Sequence, residues 1–158
     1  MNNFIGNFVG FDGRLNRQAW WLSTIALIVA GIVINLILGA IMGTGLMLSL
    51  EQMADPAVLQ KYMWQNAIVA LVTAYPSLAL AIKRRHDRNN NGYDAAALII
   101  IGVLYSLLGA VGVVTMGGTV QMIFGLVFLV LGIWVIIQLG FLKGTAGPNN
   151  YGPDPLGG

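Results

Sequence analysis

Lys83-Arg84-Arg85-His86-Asp87-Arg88-Asn89-Asn90-Asn91-Gly92-Tyr93-Asp94 decides how this chain is threaded. The stretch holds four of the eight basic residues and the only histidine. Uncharged runs flank it, residues 62–82 on one side and 95–142 on the other. A charged segment between two such runs reads as a loop held at a membrane surface. Composition agrees: 57% of the 158 residues are hydrophobic and 9% charged, against about a quarter charged in a soluble domain.

Downstream, Ala95–Leu142 has no charge and is too long for one crossing of about 20 residues. Two crossings are expected, with a turn at Met116-Gly117-Gly118-Thr119. Gly102, Gly109 and Gly112 share a face of the first, and Gly118, Gly125 and Gly132 recur every seventh residue on the second. The two glycine stripes are expected to face one another in a tight hairpin.

Upstream, residues 62–82 make one crossing, interrupted by Pro76. The ring removes a donor and crowds the carbonyl of Val72, and Thr73 and Ser77 stand where they can satisfy freed backbone groups. A packing kink is favoured over a discontinuous, site-lining helix because no charge accompanies it. Gln18–Leu50 is uncharged as well. As one helix it would reach about 50 Å against a hydrocarbon core of ~30 Å, so a bend is expected at Gly43-Thr44-Gly45. Gly39 and Gly43 form a Gly-x-x-x-Gly pair, read as close packing within the chain in preference to a dimer seam. Between these spans, Glu51–Lys61 contains Asp55-Pro56, a helix-start signal. A short amphipathic helix is expected there, with Trp64 marking the interface.

Near the N-terminus, Phe4, Phe8 and Phe11 form an apolar stripe. It suits either an interfacial segment or an arm packed on the bundle. Gly13 permits a turn and Asn16 is a candidate N-cap. Arg14 and Arg17 lie one turn apart, and Trp20 and Trp21 belong at headgroup depth. The apolar run after Arg17 exceeds a signal-peptide core, so the first helix is expected to remain as an anchor. Residues 144–158 are turn formers throughout.

The fold expected is an all-α, polytopic single domain over 1–158. Its four transmembrane helices lie at about 19–45, 64–82, 95–115 and 120–142, with a cytoplasmic loop at 83–94 and a tail at 143–158. Arg14, Arg17, Lys83, Arg84, Arg85, Arg88 and Lys143 fall on one side and Lys61 on the other. By the positive-inside rule both termini are cytoplasmic.

Three polar segments then share that side. They are Phe11-Asp12-Gly13-Arg14-Leu15-Asn16-Arg17 with Trp20 and Trp21; Lys83-Arg84-Arg85-His86-Asp87-Arg88 with Gly92-Tyr93; and Gly144-Thr145 with Gly147, Asn149 and Tyr151-Gly152-Pro153-Asp154-Pro155. Together they resemble the bacterial inner-membrane family named domain of unknown function 805, which includes the YhaH-like proteins. The resemblance spans essentially the whole chain. Members usually have an apolar residue where Arg85 stands, a serine near Asn91 and a tryptophan at Tyr93. The resemblance implies a small inner-membrane protein and no assigned activity.

Several function classes fall away. The basic residues are too few for a nucleic-acid face, and no cysteine is available for disulfide or thiol chemistry. A lone histidine among scattered aspartates lacks metal-ligand spacing, and no cofactor motif is present. A catalytic reading would use His86 and Asp87, with Asp12, as acid–base groups. Adjacent helical residues point about 100° apart, and no nucleophile motif accompanies them, so a non-catalytic protein is expected. Its basic face (Arg14, Arg17, Lys83, Arg84, Arg85 and Arg88) would meet anionic lipid headgroups or a partner protein, or would serve topology alone. Asp12, His86, Asp87, Asn149, Asn150 and Tyr151 would form a polar network beside it. The alternative is a small transporter or channel subunit, working as a homo-oligomer or with another membrane protein.

Overall fold

The computed structural model describes residues 4–114 and 118–157. After a 3-10 turn at Phe4–Phe8 come α1 (Arg17–Met42), α2 (Leu50–Met53), α3 (Pro56–His86), α4 (Tyr93–Ala110) and α5 (Thr119–Val135). A π-helical segment, Ile136–Phe141, continues α5. Among the described residues, four helices are long and apolar enough to cross a membrane: Arg17–Met42, Pro56–His86, Tyr93–Ala110 and Thr119–Phe141. The expected turn at 116–119 lies partly outside the described residues.

Local signals set the helix starts. Asn16 accepts a hydrogen bond from the Ala19 N–H and so caps α1. Asp55 accepts from Ala57 N–H at 2.8 Å, and Pro56 opens α3 where a missing N–H costs nothing. Span two therefore begins at Pro56 instead of near Trp64, and the expected short helix reduces to the four residues of α2. α3 runs unbroken through Pro76. The Thr73 hydroxyl donates to the Val69 carbonyl at 2.8 Å, one turn back along its own helix, and so does not reach the Val72 carbonyl that Pro76 deprives of a donor.

α3 is the organising helix, and α1 and α4 both pack along it. The bend expected after α1 is there. Gly43 closes the helix in the left-handed region at φ 74°, and Thr44 N–H turns back to the Gly39 carbonyl at 3.0 Å. A buried polar latch holds this return: the Thr44 hydroxyl meets the Gln65 side-chain oxygen, while the Gln65 amide donates to Asn35 Oδ1 at 2.7 Å and to the Gly45 carbonyl at 2.8 Å. Gln65 is fully buried, and a polar group at that depth has to find such partners. A Cβ on Gly39 would stand 2.5 Å from the Gly45 carbonyl oxygen. Gly39 and Gly43 thus serve packing and capping within one chain.

The glycine-stripe hairpin is not formed. Gly109 faces the Met63 side chain of α3, and Gly102, Gly125 and Gly132 have open space where a Cβ would go. α4 meets α5 through aromatic rings, Tyr105 stacking on Phe124 at 4.9 Å and packing edge-on against Phe128. Ring area, not backbone approach, joins these two helices. No described residue of α5 is buried.

The N-terminal arm is docked. Asn7 donates to the Ser23 hydroxyl at 2.9 Å, Gly10 N–H to the Tyr75 hydroxyl at 3.1 Å, and Phe11 packs edge-on against Tyr75. Phe4, Ile5 and Val9 remain exposed. Trp20 is buried with Leu15, Leu80, Ala81, Ala95 and Leu139 in the core cluster. Trp21 is half-buried beside it.

Two glycine substitutions should separate these environments. Gly39→Ala drives a methyl into backbone that cannot withdraw and is expected to cost about 1–3 kcal/mol. Gly125→Ala adds a methyl to open space and is expected to gain up to about 1 kcal/mol in helix propensity. Thermal unfolding in detergent, compared with the parent chain, measures both.

Candidate functional site

The last turn of α3 carries Lys83, Arg84, Arg85 and His86, so the expected surface loop starts only at Asp87. A helix end exposes carbonyls and a partial negative charge that cations complement. These residues nevertheless turn away from solvent, because a second and more demanding set of carbonyls lies next to them. The π-helical segment after α5 ends the fourth span at Phe141, and its last carbonyls lack intrahelical donors.

Cations and one indole satisfy those carbonyls in succession. The Gln138 carbonyl accepts from Arg88 at 3.3 Å and that of Leu139 from Arg84 Nε at 2.6 Å. The Gly140 carbonyl accepts from the Trp21 indole at 3.1 Å, that of Phe141 from Arg17 at 3.1 Å, and that of Leu142 from Arg84. The Gln138 side-chain oxygen takes Arg85 at 2.9 Å and also Arg88. Arg85 completes its fork on Asp94 and lies 5.7 Å from the Trp134 ring centroid. Burial, with Arg85 nearby, pushes the Arg88 guanidinium below the ordinary arginine range.

Asp87 is the hub between the three polar segments. One carboxylate oxygen accepts from Arg14 at 3.0 Å and the other from Arg84, and Asp87 is only 3% exposed. Arg14 then reaches the Thr145 and Gly147 carbonyls, both at 2.6 Å. Thr145 N–H returns to the Asp87 carbonyl at 2.8 Å. A Cβ on Gly144 would overlap the Asp87 carboxylate, so glycine is required where the tail crosses it. Lys83 ties the arm instead, donating to the Gly6 and Val9 carbonyls at 2.7 and 3.0 Å.

His86 is covered by the tail. Its ring stacks on Tyr151 with centroids 3.8 Å apart, and its Nδ1 lies 3.1 Å from the Gly13 carbonyl oxygen. A carbonyl only accepts, so Nδ1 carries the proton. Asn149 donates to the His86 carbonyl at 2.9 Å. Asn150 contributes its backbone N–H, to Asn89 Oδ1 at 3.3 Å, and its side chain faces out. Asp12 is exposed and makes no ion pair among the described residues.

The structure therefore brings the three polar segments together, with four of their cations facing inward. Arg14, Lys83, Arg84 and Arg85 hydrogen-bond carbonyls and carboxylates of the chain itself. Gln138, Asp94, Thr145 and Asp154 belong to the cluster and were not among the candidate residues. A glutamine within an apolar span, near its charged end, was the available signal for Gln138.

Beside this knot lies a cleft of about 300 Å³ lined by Asn16, Arg17, Asp87, Lys143, Thr145 and Asp154, with Leu156 at its edge. Leu156 and Arg17 also line an adjoining cleft of about 450 Å³ that reaches Trp21 and Gly140. Arg17 and Lys143 are exposed. No group of three or more His, Cys, Asp and Glu side chains among the described residues is placed to hold a metal ion.

Asp87→Asn should leave two buried guanidiniums without their counter-charge, at a cost of about 3–5 kcal/mol. Gly144→Ala should be destabilising too, since the new methyl meets the same carboxylate. Detergent unfolding midpoints test both, and an Asp87→Asn protein as stable as the parent would remove Asp87 as the hub.

Comparison with known proteins places this architecture. The profile for a protein of unknown function, DUF805, matches residues 8–153. The inner membrane protein YhaI of Escherichia coli strain K12 is 30% identical over 150 residues, covering 94% of this chain and 88% of that protein. YhaI of Escherichia coli O157:H7 aligns equally well. No solved structure gives a significant match. With both the arm-to-tail polar knot and the four spans inside the matched region, the chain is a multi-pass inner-membrane protein that belongs to the DUF805 family.

Proposed function

We propose that this protein is a non-catalytic membrane protein that holds lipid headgroups, through their anionic phosphate, at the polar end of its bundle. One observation carries this reading: Arg17 and Lys143 both line the same cleft while the neighbouring cations are engaged internally. Arg17 gives one guanidinium nitrogen to the Phe141 carbonyl, and the fork has further donors that match phosphate oxygens. Each cation near an anionic leaflet contributes about 1 kcal/mol. Trp21, in the adjoining cleft, is the residue type that settles at headgroup level.

The same reading puts this end in the cytoplasm, on the strength of seven basic residues against Lys61 alone. The arm and the tail lie at one end of the bundle, since Arg14 bonds Thr145 and Gly147. Reporter fusions after Lys143 and within residues 51–61 are expected to give opposite signals, the former cytoplasmic. A periplasmic reporter after Lys143 would overturn the orientation.

Lipid retention tests the headgroup site. The Arg17→Gln, Lys143→Gln double variant should lose most of the phospholipid that co-purifies with the full chain, at a stability cost no larger than the one Phe141 hydrogen bond, about 1 kcal/mol. Native mass spectrometry counts the bound lipid. Equal retention by parent and variant would refute the site.

A further inference from the structure

The cleft that holds Arg17 and Lys143 also contains carboxylates, and they are not equivalent. Asp87 is buried, with both oxygens engaged by Arg14 and Arg84. Asp154, in the tail, lines the same cleft. It accepts one backbone N–H on each oxygen, from Leu156 at 2.9 Å and from Gly147 at 3.0 Å. Each carboxylate oxygen has a second lone pair, so Asp154 can still receive a charged donor. The Leu156 N–H, aided by the Gly147 N–H and the Arg14 charge, holds its carboxyl below the usual carboxylate range. Asp154 is thus an anion at neutral pH.

We infer that the cleft selects a headgroup carrying both a phosphate and a primary ammonium, as in an aminophospholipid, with the phosphate on Arg17 and Lys143 and the ammonium on Asp154. This rests on the headgroup reading above and adds the discrimination between headgroups. A site for phosphate alone gains nothing from Asp154, whose charge repels it. A ligand with opposite charges a few bonds apart meets both sets of side chains in a cleft of about 300 Å³. Specificity then comes from the repulsive element as much as from the attractive one.

The fold places Asp154 on purpose-shaped backbone. Asn149 and Gly152 pair in a tight turn, with N–H to carbonyl distances of 3.0 and 3.1 Å, and the Tyr151 ring is stacked on His86. The tail is therefore anchored just before Asp154, and the carboxylate is delivered to the cleft.

The test uses the full chain in detergent, titrated with short-chain phosphatidylethanolamine and phosphatidylglycerol, followed by tryptophan fluorescence or native mass spectrometry. Free phosphoethanolamine and inorganic phosphate serve as chain-free probes. The parent is expected to bind phosphatidylethanolamine roughly two- to fivefold tighter than phosphatidylglycerol, the ratio that one solvent-accessible ion pair supplies. Asp154→Asn should abolish that ratio while binding of phosphatidylglycerol persists or strengthens, and Asp154→Glu should keep it. Equal affinity of the parent for the two lipids, or a ratio untouched in Asp154→Asn, overturns the ammonium assignment and leaves the phosphate site standing. Loss of discrimination in Asp154→Glu as well as Asp154→Asn overturns it too. Binding of both lipids unaffected by Arg17→Gln with Lys143→Gln defeats the phosphate site itself. Phosphoethanolamine binding as tightly as the lipid would make the ligand a soluble phosphoester and refute a lipid.

Discussion

A backbone carbonyl at the end of a membrane helix has no intrahelical donor, and the apolar phase offers no water. The end of the fourth span meets that constraint with arginine. Carbonyls 138 to 142 each receive a donor from Arg88, Arg84, Trp21 or Arg17. The donors come from α1, from the last turn of α3 and from the segment that follows it, so one helix end is tied to both. The guanidinium charge is in turn balanced at Asp87 and Asp94. Once those aspartates are fixed, the tail has a surface to cross, and glycine at 144 is what lets it cross closely.

Two opposite uses of positive charge therefore coexist within one small region. Arg84 is fully buried and its donors are satisfied by carbonyls and by Asp87. Arg17 stands one helix away, exposed, with most of its fork unengaged. Burying a guanidinium is tolerable only where hydrogen bonds replace its water, which is why the carbonyl-rich helix end and the buried arginines occur together.

The locally encoded features were legible in the sequence. Four apolar runs gave four crossings, Asn16 and Asp55-Pro56 gave two helix starts, and Gly43-Thr44-Gly45 gave the bend. The placement of arm, post-span segment and tail on one side followed from charge placement, and Arg14 with Asp87 pairs two of those segments. What was not legible depends on contacts distant in sequence. A basic residue at the end of α3 reads the same whether it faces lipid or the carbonyl of Leu139, 55 positions away. The glycine periodicity of the third and fourth spans could not say that Gly109 meets Met63 of α3. Asp94 and Asp154 stood in the quoted stretches without a role, because their roles are set by Arg85 and by the fold of the tail.

The fourth span is attached in an uneven way: its π-helical end is tied to α1 and α3, whereas no described residue of α5 is buried and rings of α4 pack against it. Such a helix responds to bilayer thickness. Mismatch between apolar length and hydrocarbon depth is relieved by tilt at fractions of a kcal/mol per Å. A span fixed at one end and largely exposed along the rest of its length can tilt about that end with little repacking of α1 and α3. Membrane thinning or thickening would thus be felt first at the guanidinium-capped carbonyls, as leverage on the same knot that borders the cleft of Arg17 and Lys143.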